Sequence, residues 1–253
     1  MTPDSFSDGG AFYQTDKAVQ QALALISQGA NIIDVGGEST RPGAQVVSQE
    51  EELKRVIPVI RTIRQKNPQI TLSIDSLKPE VMTQAIEAGA NFINDINALQ
   101  NKACLEVAAF ADVPVCLMHK QGTPDNMQNN PQYDDVLTDV MDFFKQRIEN
   151  CLLAGVKSKH IILDPGIGFG KTLEHNLTLL RNIKKLRELG FPILIGVSRK
   201  SMIGQLLDAK IDERLYGSLA IVQFAYEQGA EIFRVHDVKA TSDVLKITQV
   251  LTK

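Results

Sequence analysis

Short apolar runs alternate with longer amphipathic segments along the whole chain, and this order limits the fold more than any other feature. The runs are almost wholly apolar, as parallel strands buried on both faces are, and the segments between them repeat apolar residues at helical spacing. Strands separated by helices favour a parallel α/β fold. The predicted strands are Ile32–Val35, Thr71–Asp75, Phe92–Ile96, Val115–His119, Ile161–Asp164, Ile193–Ser198 and Ile232–His236. The predicted helices cover about residues 14–28, 49–66, 79–88, 102–111, 134–154, 174–188, 212–228 and 240–251.

The number of these elements bears on whether the sheet closes. Seven predicted strands alternate with eight predicted helices, and the series begins with a helix. Eight helices favour a (β/α)8 TIM barrel, which needs eight strands to close. We therefore predict a TIM barrel lacking its first strand in this chain, since that strand would precede Met1; the alternative is an open sheet of seven strands. No linker or change in composition interrupts the series, so we expect residues 1–253 to form a single domain.

Composition and charge exclude several classes of protein. Hydrophobic residues make up 43% of the chain, which is ordinary for a globular protein and excludes disorder as its main state. The formal net charge is −3 without a long basic run, so we expect neither a nucleic-acid partner nor a membrane partner. No apolar stretch reaches the roughly 18 residues of a membrane span, and the N-terminus does not resemble a signal peptide. Cys104, Cys116 and Cys151 form no metal-binding spacing, so we expect reduced thiols in a cytoplasmic protein.

Polar side chains follow nearly every predicted strand. The hydrogen-bond acceptors are Asp75, Asn94 and Asp164, and the cationic or potentially cationic groups are Arg41, Lys200, Arg234 and His236. A lone Asp after a strand is usually a turn or a helix cap, but capping does not explain polar ends on seven strands together. In a TIM barrel these ends form the active-site face. The cations indicate an anionic part of the substrate, such as a phosphate, and the carboxylates match a polar ring with N–H donors.

A glycine-rich stretch from Asp164 to Lys171 matches neither a Walker A motif nor GxGxxG, so dinucleotide binding is unsupported. Its glycines allow close approach of the backbone to a ligand, with Phe169 as an apolar wall; a purely structural loop is the alternative. Arg234 and His236 lie two residues apart on a predicted strand, so we expect them to face the same side and act jointly.

Nine motifs, spread over essentially the whole chain, resemble the dihydropteroate synthase family. They are TPDSFSDGG (2–10), IDVGGESTRPGA (33–44), SIDS (73–76), INDI (93–96), LMHKQGTP (117–124), LDPGIGFGK (163–171), GVSRKSMIG (196–204), ERLYGSLA (213–220) and RVHDV (234–238). The resemblance implies a TIM barrel and a transferase of folate biosynthesis, the target of sulfonamides. Such an enzyme condenses 6-hydroxymethyl-7,8-dihydropterin pyrophosphate with p-aminobenzoate, with Mg²⁺, to give 7,8-dihydropteroate and pyrophosphate.

The resemblance also assigns site residues. It implies that Asp75, Asn94, Asp164 and Lys200 bind the pterin, walled by Ile96, Met118 and Phe169, with Arg234 stacked on the ring. It implies that Arg41, Arg234 and His236 hold the pyrophosphate, and that Phe6, Thr40, Arg41, Pro42, Phe169 and Ser198 form the p-aminobenzoate site. The catalytic residues would then be Asp75, Asp164, Lys200, Arg234 and His236.

The chain departs from the family pattern at its start. The family's Asn that helps to bind Mg²⁺ would precede Met1, so no metal ligand is predicted within the chain. The main hypothesis is an active synthase acting as a homodimer on its two small substrates. The alternatives are an N-terminally truncated, non-catalytic pterin-binding protein and a related methyltetrahydrofolate methyltransferase, which should lack the STRPG and SRKS elements present here.

Overall fold

The computed structural model describes residues 11–39, 46–122, 127 and 130–252, and within them helices and strands alternate. The strands of this part are β1 (Ile32–Gly36), β2 (Thr71–Asp75), β3 (Phe92–Asp95), β4 (Val115–Met118), β5 (Ile161–Asp164), β6 (Leu194–Ile195) and β7 (Ile232–Phe233). Its helices are α1 (Ala11–Ser27), α2 (Gln49–Lys66), α3 (Pro79–Glu87), α4 (Lys102–Ala111), α5 (Val136–Leu153), α6 (Leu173–Arg181), α7 (Ile183–Arg187), α8 (Ser201–Leu207), α9 (Leu215–Glu227) and α10 (Val238–Leu251).

Polar residues fix where several of these helices begin. Ser48 Oγ accepts the N–H of Glu51 at the start of α2, and Asn101 Oδ1 accepts the N–H of Ala103 at the start of α4. Both bonds satisfy donors that the first turn of a helix leaves unpaired. Helix α3 instead begins with Pro79, which has no N–H to satisfy. None of the described helices is long and apolar enough to cross a membrane.

The chain divides into two compact units. The first unit contains Met1–Leu117 and Glu149–Ile161, and the second contains Met118–Ile148 and Ile162–Lys253. The division falls within β4 and β5, so each unit holds part of both strands. The single domain expected over residues 1–253 stays a prediction, and the strand expected ahead of Met1 lies outside the described residues.

The first unit contains a parallel sheet in which β1, β2, β3 and β4 are neighbours in that order. Gly36 lies opposite Asp75, and Asp75 lies opposite Asn94. Parallel strands in this register bring their carboxyl ends to the same edge of the sheet. The polar residues that follow the apolar runs therefore lie side by side in the first unit.

The core of the first unit comes from the strands and from one face of each helix. Leu72, Ile74 and Ile93 on the strands are fully buried, as are Ile60 and Ile63 on α2. Burying each such side chain contributes roughly 1.5–3 kcal/mol to folding. Helices α1, α2, α3 and α4 pack successively against one another. This packing holds the strand ends in fixed positions.

The second unit also contains parallel strands, which are joined by shorter pairings. The N–H of His119, which follows β4, donates to the carbonyl of Asp164 at the end of β5 at 2.9 Å. Strand β5 meets β6 through a bridge between Leu163 and Ile193, and β6 pairs with β7 over two residues. The ends of β4, β5, β6 and β7 are therefore parallel neighbours in that order.

Five of the seven strand predictions agree with the structure to within one residue at each end. The predictions Ile193–Ser198 and Ile232–His236 are too long, because β6 and β7 contain only two residues each. The physical reason is a change of hydrogen-bond partner beyond the short ladder. The N–H of His236 donates to the side-chain oxygen of Ser198 at 3.2 Å, so a side chain replaces the strand carbonyl there.

In the second unit one helix prediction is wrong and one helix is missing from the predictions. The helix predicted at 174–188 is divided into α6 and α7 at Asn182, whose φ of −114° and ψ of 25° are not helical. Asn182 Nδ2 donates to the carbonyl of Thr178 at 2.8 Å, and such side-chain bonds compete with the helical ladder. Helix α8 was not predicted, since it has only seven residues, includes Gly204 and so gives a weak periodic signal.

Candidate active site

Two polar side chains lie level at the ends of β2 and β3 in the first unit. Asp75 ends β2 and lies opposite Asn94 of β3. Asn94 is 2% exposed, and its Nδ2 donates to Asp34 Oδ2 at 3.3 Å. Its Oδ1 is buried and accepts no hydrogen bond from the part of the chain that the structure describes. A buried acceptor without a partner destabilises a protein by about 1–3 kcal/mol, so Asn94 is suited to receive an N–H from a ligand.

The next residue, Asp95, has a structural role in the first unit. The Asp95 carboxylate accepts the N–H of Asn97 at 2.6 Å and the N–H of Leu99 at 2.9 Å. These bonds hold a turn in which Ala98 and Leu99 have φ values of 52° and 53°. Ile96, predicted as a wall of the pterin pocket, lies buried beside this turn at 2% exposure. Of the two polar residues at this strand end, Asn94 has the free acceptor and Asp95 stabilises the turn.

A charged side chain crosses the strand ends of the second unit. Arg234 follows β7, and its Nη2 donates to Asp164 Oδ2 at the end of β5 at 2.8 Å. The same nitrogen lies 4.0 Å from Sδ of Met118 on β4. An added Cβ on Gly196, which follows β6, would lie 3.4 Å from this nitrogen, so the glycine leaves room for the guanidinium. Asp164 is 1% exposed, and its other oxygen accepts the N–H of Gly166 at 2.8 Å.

Lys200 lies against the glycine-rich loop that follows β5. Its Nζ donates to the carbonyl of Ile167 and lies 4.8 Å from the centroid of the Phe169 ring, within cation–π distance. Burial lowers the pKa of Lys200 to about 7, although the charge of Asp164 opposes this shift and that of Arg234 adds to it. An anion bound nearby would raise this pKa and favour the charged amine.

Lys171 is a buried cation that the sequence analysis did not single out. It is 3% exposed, and its Nζ lies 2.9 Å from Nδ1 of His119. The same nitrogen donates to the carbonyls of His119, Gly166 and Phe169 at 3.3, 3.1 and 3.0 Å. Burial lowers the pKa of Lys171 to about 7, and burial together with the Lys171 charge lowers the pKa of His119 to about 3. Lys171 thus joins the loop after β4 to the loop after β5.

Arg234 and His236, expected to act jointly, have different hydrogen-bond partners. Arg234 turns to Asp164, whereas Nδ1 of His236 lies 3.1 Å from Oγ of Ser198. Ser198 is 8% exposed and His236 is exposed. The side chain of Ser198 is therefore engaged by His236, and the joint role stays a prediction.

The described residues include ten of the predicted site residues and leave four outside. Phe6, Thr40, Arg41 and Pro42 lie outside the described residues. In the first unit the structure brings together Asp75 and Asn94, with Ile96 buried nearby in the chain. In the second unit it shows three separate sets of contacts. Arg234 contacts both Asp164 and Met118, Lys200 contacts Phe169, and His236 contacts Ser198. The roles assigned to these residues stay predictions.

Sequence reasoning missed Lys171, Arg199 and Asp237 as residues that hold the loops of this site. Each lies within one of the nine motifs, and Arg199 and Asp237 are next to residues given a role there. A lysine directly after three spaced glycines is a usable signal, because such a loop brings backbone carbonyls close together. Nothing local indicates that Arg199 and Asp237 pair, since 38 residues separate them.

The chain matches the family model described as "Pterin binding enzyme" over residues 1–236. It is 50% identical over 249 residues to the dihydropteroate synthase of Haemophilus influenzae, which covers 98% of this chain and 90% of that protein. It is 47% identical over 255 residues to the dihydropteroate synthase of Clostridium beijerinckii, which covers 100% of this chain and 92% of that relative.

Solved structures of the same kind resemble the chain closely. The Yersinia pestis dihydropteroate synthase in complex with a sulfonamide drug has a TM-score of 0.93 and 49% identity, covering 99% of this chain and 91% of that one. The Xanthomonas albilineans dihydropteroate synthase with 4-aminobenzoic acid has a TM-score of 0.93 and 45% identity. The match covers 99% of this chain and 90% of that one. These likenesses confirm the α/β class and the TIM-barrel fold predicted from the sequence.

Proposed function

The chain belongs to the family of pterin binding enzymes and, within it, to the dihydropteroate synthases, and on this premise we propose its reaction and the residues that perform it. As such it is a transferase of folate biosynthesis. It joins 6-hydroxymethyl-7,8-dihydropterin pyrophosphate to p-aminobenzoate and releases pyrophosphate. The observation that carries the proposal is the buried Asp164 carboxylate paired with Arg234, because it sets an acceptor for a ring N–H edge beside a donor for an anion.

Asp164 and Lys200 are our proposed pterin ligands in the second unit. Each oxygen of Asp164 already accepts one hydrogen bond, and a carboxylate oxygen can accept a second from a ring amino group or N–H. Lys200 donates to ring acceptors, and Met118 with Phe169 supplies apolar contact. In the first unit we propose Asp75 and Asn94 as further pterin ligands, supported by the unused acceptor of Asn94; these two residues are separated by one strand spacing.

The chemical step is a displacement at the pterin methylene carbon. The bond from this carbon to the pyrophosphate oxygen breaks, and its electron pair leaves with the oxygen. The amine nitrogen of p-aminobenzoate then forms the new C–N bond and releases its proton to solvent. Arg234, Lys200 and His236 stabilise the negative charge that grows on the leaving group, and Asp164 stabilises the cation on the pterin. Positioning and charge stabilisation therefore supply the catalysis.

We propose that Mg²⁺ binds together with the pyrophosphate group of the substrate. No group of three or more His, Cys, Asp or Glu side chains that could hold a metal ion occurs among the described residues. Mg²⁺ commonly uses one or two carboxylates together with substrate phosphates. None of the steps above passes through the metal.

For p-aminobenzoate we propose Phe169 and Ser198, together with Phe6, Thr40, Arg41 and Pro42, whose structure is not described. The ring of Phe169, which carries Lys200 on one face, offers an apolar surface to an aromatic acid. The Xanthomonas albilineans relative holds 4-aminobenzoic acid, and the Yersinia pestis relative holds a sulfonamide drug. On this likeness we propose that sulfonamides compete with p-aminobenzoate in this chain as well.

The proposed reaction is tested by pyrophosphate release from the pterin pyrophosphate, p-aminobenzoate and Mg²⁺. We expect release that requires all three, together with formation of 7,8-dihydropteroate. Lys200→Met should weaken binding of the pterin pyrophosphate, whereas Lys184→Met on α7, an exposed lysine, serves as the matched control. Pterin binding without release by the parent chain would favour the non-catalytic alternative. Transfer of a methyl group in place of release would favour the methyltransferase.

We also propose that the chain forms a homodimer in the cytoplasm. Apolar side chains on α9 and α10, which pack together, are widely exposed: Tyr216 is 80%, Ile247 63%, Val250 76% and Leu251 78% exposed. Ile247, Val250 and Leu251 have the i, i+3, i+4 spacing that places them on one face of α10, and an exposed apolar face commonly marks an interface. Sedimentation of the parent chain and of a Val250→Glu variant tests the dimer.

The cytoplasmic location is supported by the buried free thiols of the three cysteines.

A further inference from the structure

Arg199 has a backbone conformation that is rare for its residue type. Its φ is 54°, in the left-handed region that residues with a side chain seldom adopt outside Asn and Asp. It lies between Ser198 and Lys200, both proposed to contact substrate, so it sets the direction in which the chain turns between them. A strained residue persists only where its surroundings hold it in place, and such residues concentrate at functional sites.

Five hydrogen-bonding groups of Arg199 are engaged at once, and the longest of these bonds is that from Nη1 to the carbonyl of Ile211 at 3.4 Å. Its Nε and Nη2 donate to the two carboxylate oxygens of Asp237 at 2.9 and 2.8 Å, which is a bidentate ion pair. Its backbone N–H donates to Ser218 Oγ at 2.9 Å, and its carbonyl accepts from Arg214 Nη1 at 3.2 Å. The side chains of the pair are 28% and 24% exposed, so the ion pair is largely screened from solvent.

Asp237 does not serve the role that its position would ordinarily give it. It is the residue before α10, where an Asp carboxylate usually accepts N–H groups from the first turn of the helix. Its side chain makes no such bond, and both of its oxygens are directed to Arg199. The Arg199 hydrogen bond lowers the pKa of Asp237, so the carboxylate is charged at neutral pH.

The ion pair connects two turns of the second unit that carry proposed substrate ligands. One turn contains Ser198 and Lys200, and the other contains His236. The two turns also meet where Ser198 Oγ lies 3.2 Å from the backbone nitrogen of His236 and 3.1 Å from its Nδ1. The Arg199–Asp237 pair is the charged part of this connection, one residue along the chain from each of these contacts.

We propose that Arg199 and Asp237 are positioning residues of the enzyme, whose ion pair holds the Ser198–Lys200 turn against the His236 turn in the geometry that binds the pterin pyrophosphate. The inference rests on the proposed function. Neither side chain contacts the substrate itself. Loss of the pair lets Lys200 and His236 move relative to each other, and a displacement of about 1 Å at such groups lowers turnover by roughly 100-fold.

The test uses variants that remove the pair and leave the turn able to form. Arg199→Asn keeps a residue that tolerates the left-handed region, and Asp237→Asn keeps the shape of the side chain. We expect each to lower kcat/KM for the pterin pyrophosphate by about 10- to 100-fold, and to weaken its binding measured by calorimetry. Arg199→Lys retains the charge but cannot bind in a bidentate manner. Its kcat/KM and its affinity for the pterin pyrophosphate should therefore lie between those of Arg199→Asn and those of the parent.

Two controls separate positioning from a loss of stability. Val222→Ala, in the buried part of α9, should lower the melting temperature without changing KM or kcat. Lys239→Met removes an exposed ion pair with Asp243 on α10 and should leave KM and kcat unchanged. If Arg199→Asn does not fold, Arg199→Gly, which favours the same backbone conformation, replaces it.

Parent-like KM, kcat and pterin affinity in Arg199→Asn and Asp237→Asn, with only a lower melting temperature, would overturn the proposal. If the parent releases no pyrophosphate, the proposed function fails, but the calorimetric comparison still decides whether the pair positions the pterin ligands. Equal affinity in parent and variants would then reject the inference by itself, and weaker affinity in the variants would support it.

Discussion

Arg234 and Asp164 form a 2.8 Å ion pair whose two ends differ in exposure: the guanidinium side chain is 29% exposed and the carboxylate side chain is 1% exposed. The buried carboxylate therefore depends on Arg234 and on the N–H of Gly166 for its hydrogen bonds. The guanidinium is the more exposed partner, so it is the one that an anion can approach from the solvent side. A single pair thus presents an acceptor and a donor to one ligand.

Asp164→Asn should damage pterin binding and turnover more than folding. The amide keeps the shape of the side chain but removes the charge that pairs with Arg234 and that stabilises a cation on the pterin. We expect kcat/KM for the pterin pyrophosphate to fall by about 100-fold or more. Steady-state kinetics measure this change, and a variant within about twofold of the parent would remove Asp164 from the mechanism. Asp243→Asn, in an exposed ion pair with Lys239, is the control and should retain parental kinetics.

Lys171 should make the stability of the protein depend on pH above neutrality. The folded pKa is about 7, below the ordinary value of 10.5, because burial disfavours the charged amine. Between these two values the unfolded chain binds a proton that folded Lys171 has released, so the free energy of unfolding rises with pH. Below about pH 7 both states hold the proton and this contribution is flat. Urea unfolding of the parent and of Lys171→Met at pH 7 and 9.5 measures the difference.

The variant Lys171→Met should have a shallower rise in unfolding free energy across this interval than the parent. Lys184→Met, which alters an exposed lysine on α7, should keep the parental rise. Identical slopes in the parent and in Lys171→Met would contradict a lowered pKa for Lys171.

Lys78→Met should destabilise the first unit by leaving a buried carboxylate without its cation. Lys78 Nζ lies 2.5 Å from Glu38 Oε2 and 2.5 Å from Glu52 Oε2, and Glu52 is 1% exposed. Burial acts to lower the pKa of Lys78, but the hydrogen bonds that it donates to Glu38 and Glu52, together with their charges, outweigh burial and raise the pKa. Removing one partner of a buried pair lowers the free energy of unfolding by about 3–5 kcal/mol. Urea denaturation measures the loss.

A second substitution distinguishes the missing cation from a simple loss of packing. In Lys78→Met with Glu52→Gln, the buried group is neutral and no longer needs Lys78. We expect this double variant to recover much of the stability lost in Lys78→Met. A double variant less stable than Lys78→Met would show that the charge of Glu52 is not the cause of the loss.

Asn94→Asp should introduce a repulsion that weakens as the pH falls. The new carboxyl group would lie beside Asp34, whose Oδ2 is 3.3 Å from Asn94 Nδ2. Two carboxylates this close repel each other, so ionising both of them destabilises the folded state. The folded pKa of the pair therefore rises, so the difference in unfolding free energy between parent and variant should shrink from pH 7 to pH 5. Asn101→Asp retains a helix cap at the start of α4 and is the control. An equal difference at both pH values would reject the repulsion.

The local sequence predicts the ends of some strands correctly and not those of others. Thr71–Asp75 and Ile161–Asp164 agree with the structure to the residue, because a short apolar run closed by an Asp gives a strand and its end together. The lengths predicted for β6 and β7 are too great, since the run does not reveal that Ser198 takes over as hydrogen-bond partner of His236. A strand ends where its neighbour stops pairing, and the neighbour lies far along the chain.

The candidate site divides in the same way. The residue types at Asp75, Asn94, Asp164 and Lys200 are enough to indicate a polar ring and an anion, because carboxylates and amides accept from ring N–H groups and a lysine attracts negative charge. The unused acceptor of Asn94 and the structural role of its neighbour Asp95 depend instead on burial and on hydrogen-bond partners. Two adjacent polar residues in one motif thus have different roles, and spacing alone cannot separate them.

The sequence by itself determined the order of the strands, their polar ends and the family, because these depend on residue type and on spacing along the chain. The tertiary structure decided which charges meet: Arg234 with Asp164 across 70 residues, and Lys171 with His119 across 52. It also decided the distances between strand ends, the room left for Arg234 at Gly196 and the burial that lowers the pKa of Lys171. Each of these quantities arises only when distant segments pack together.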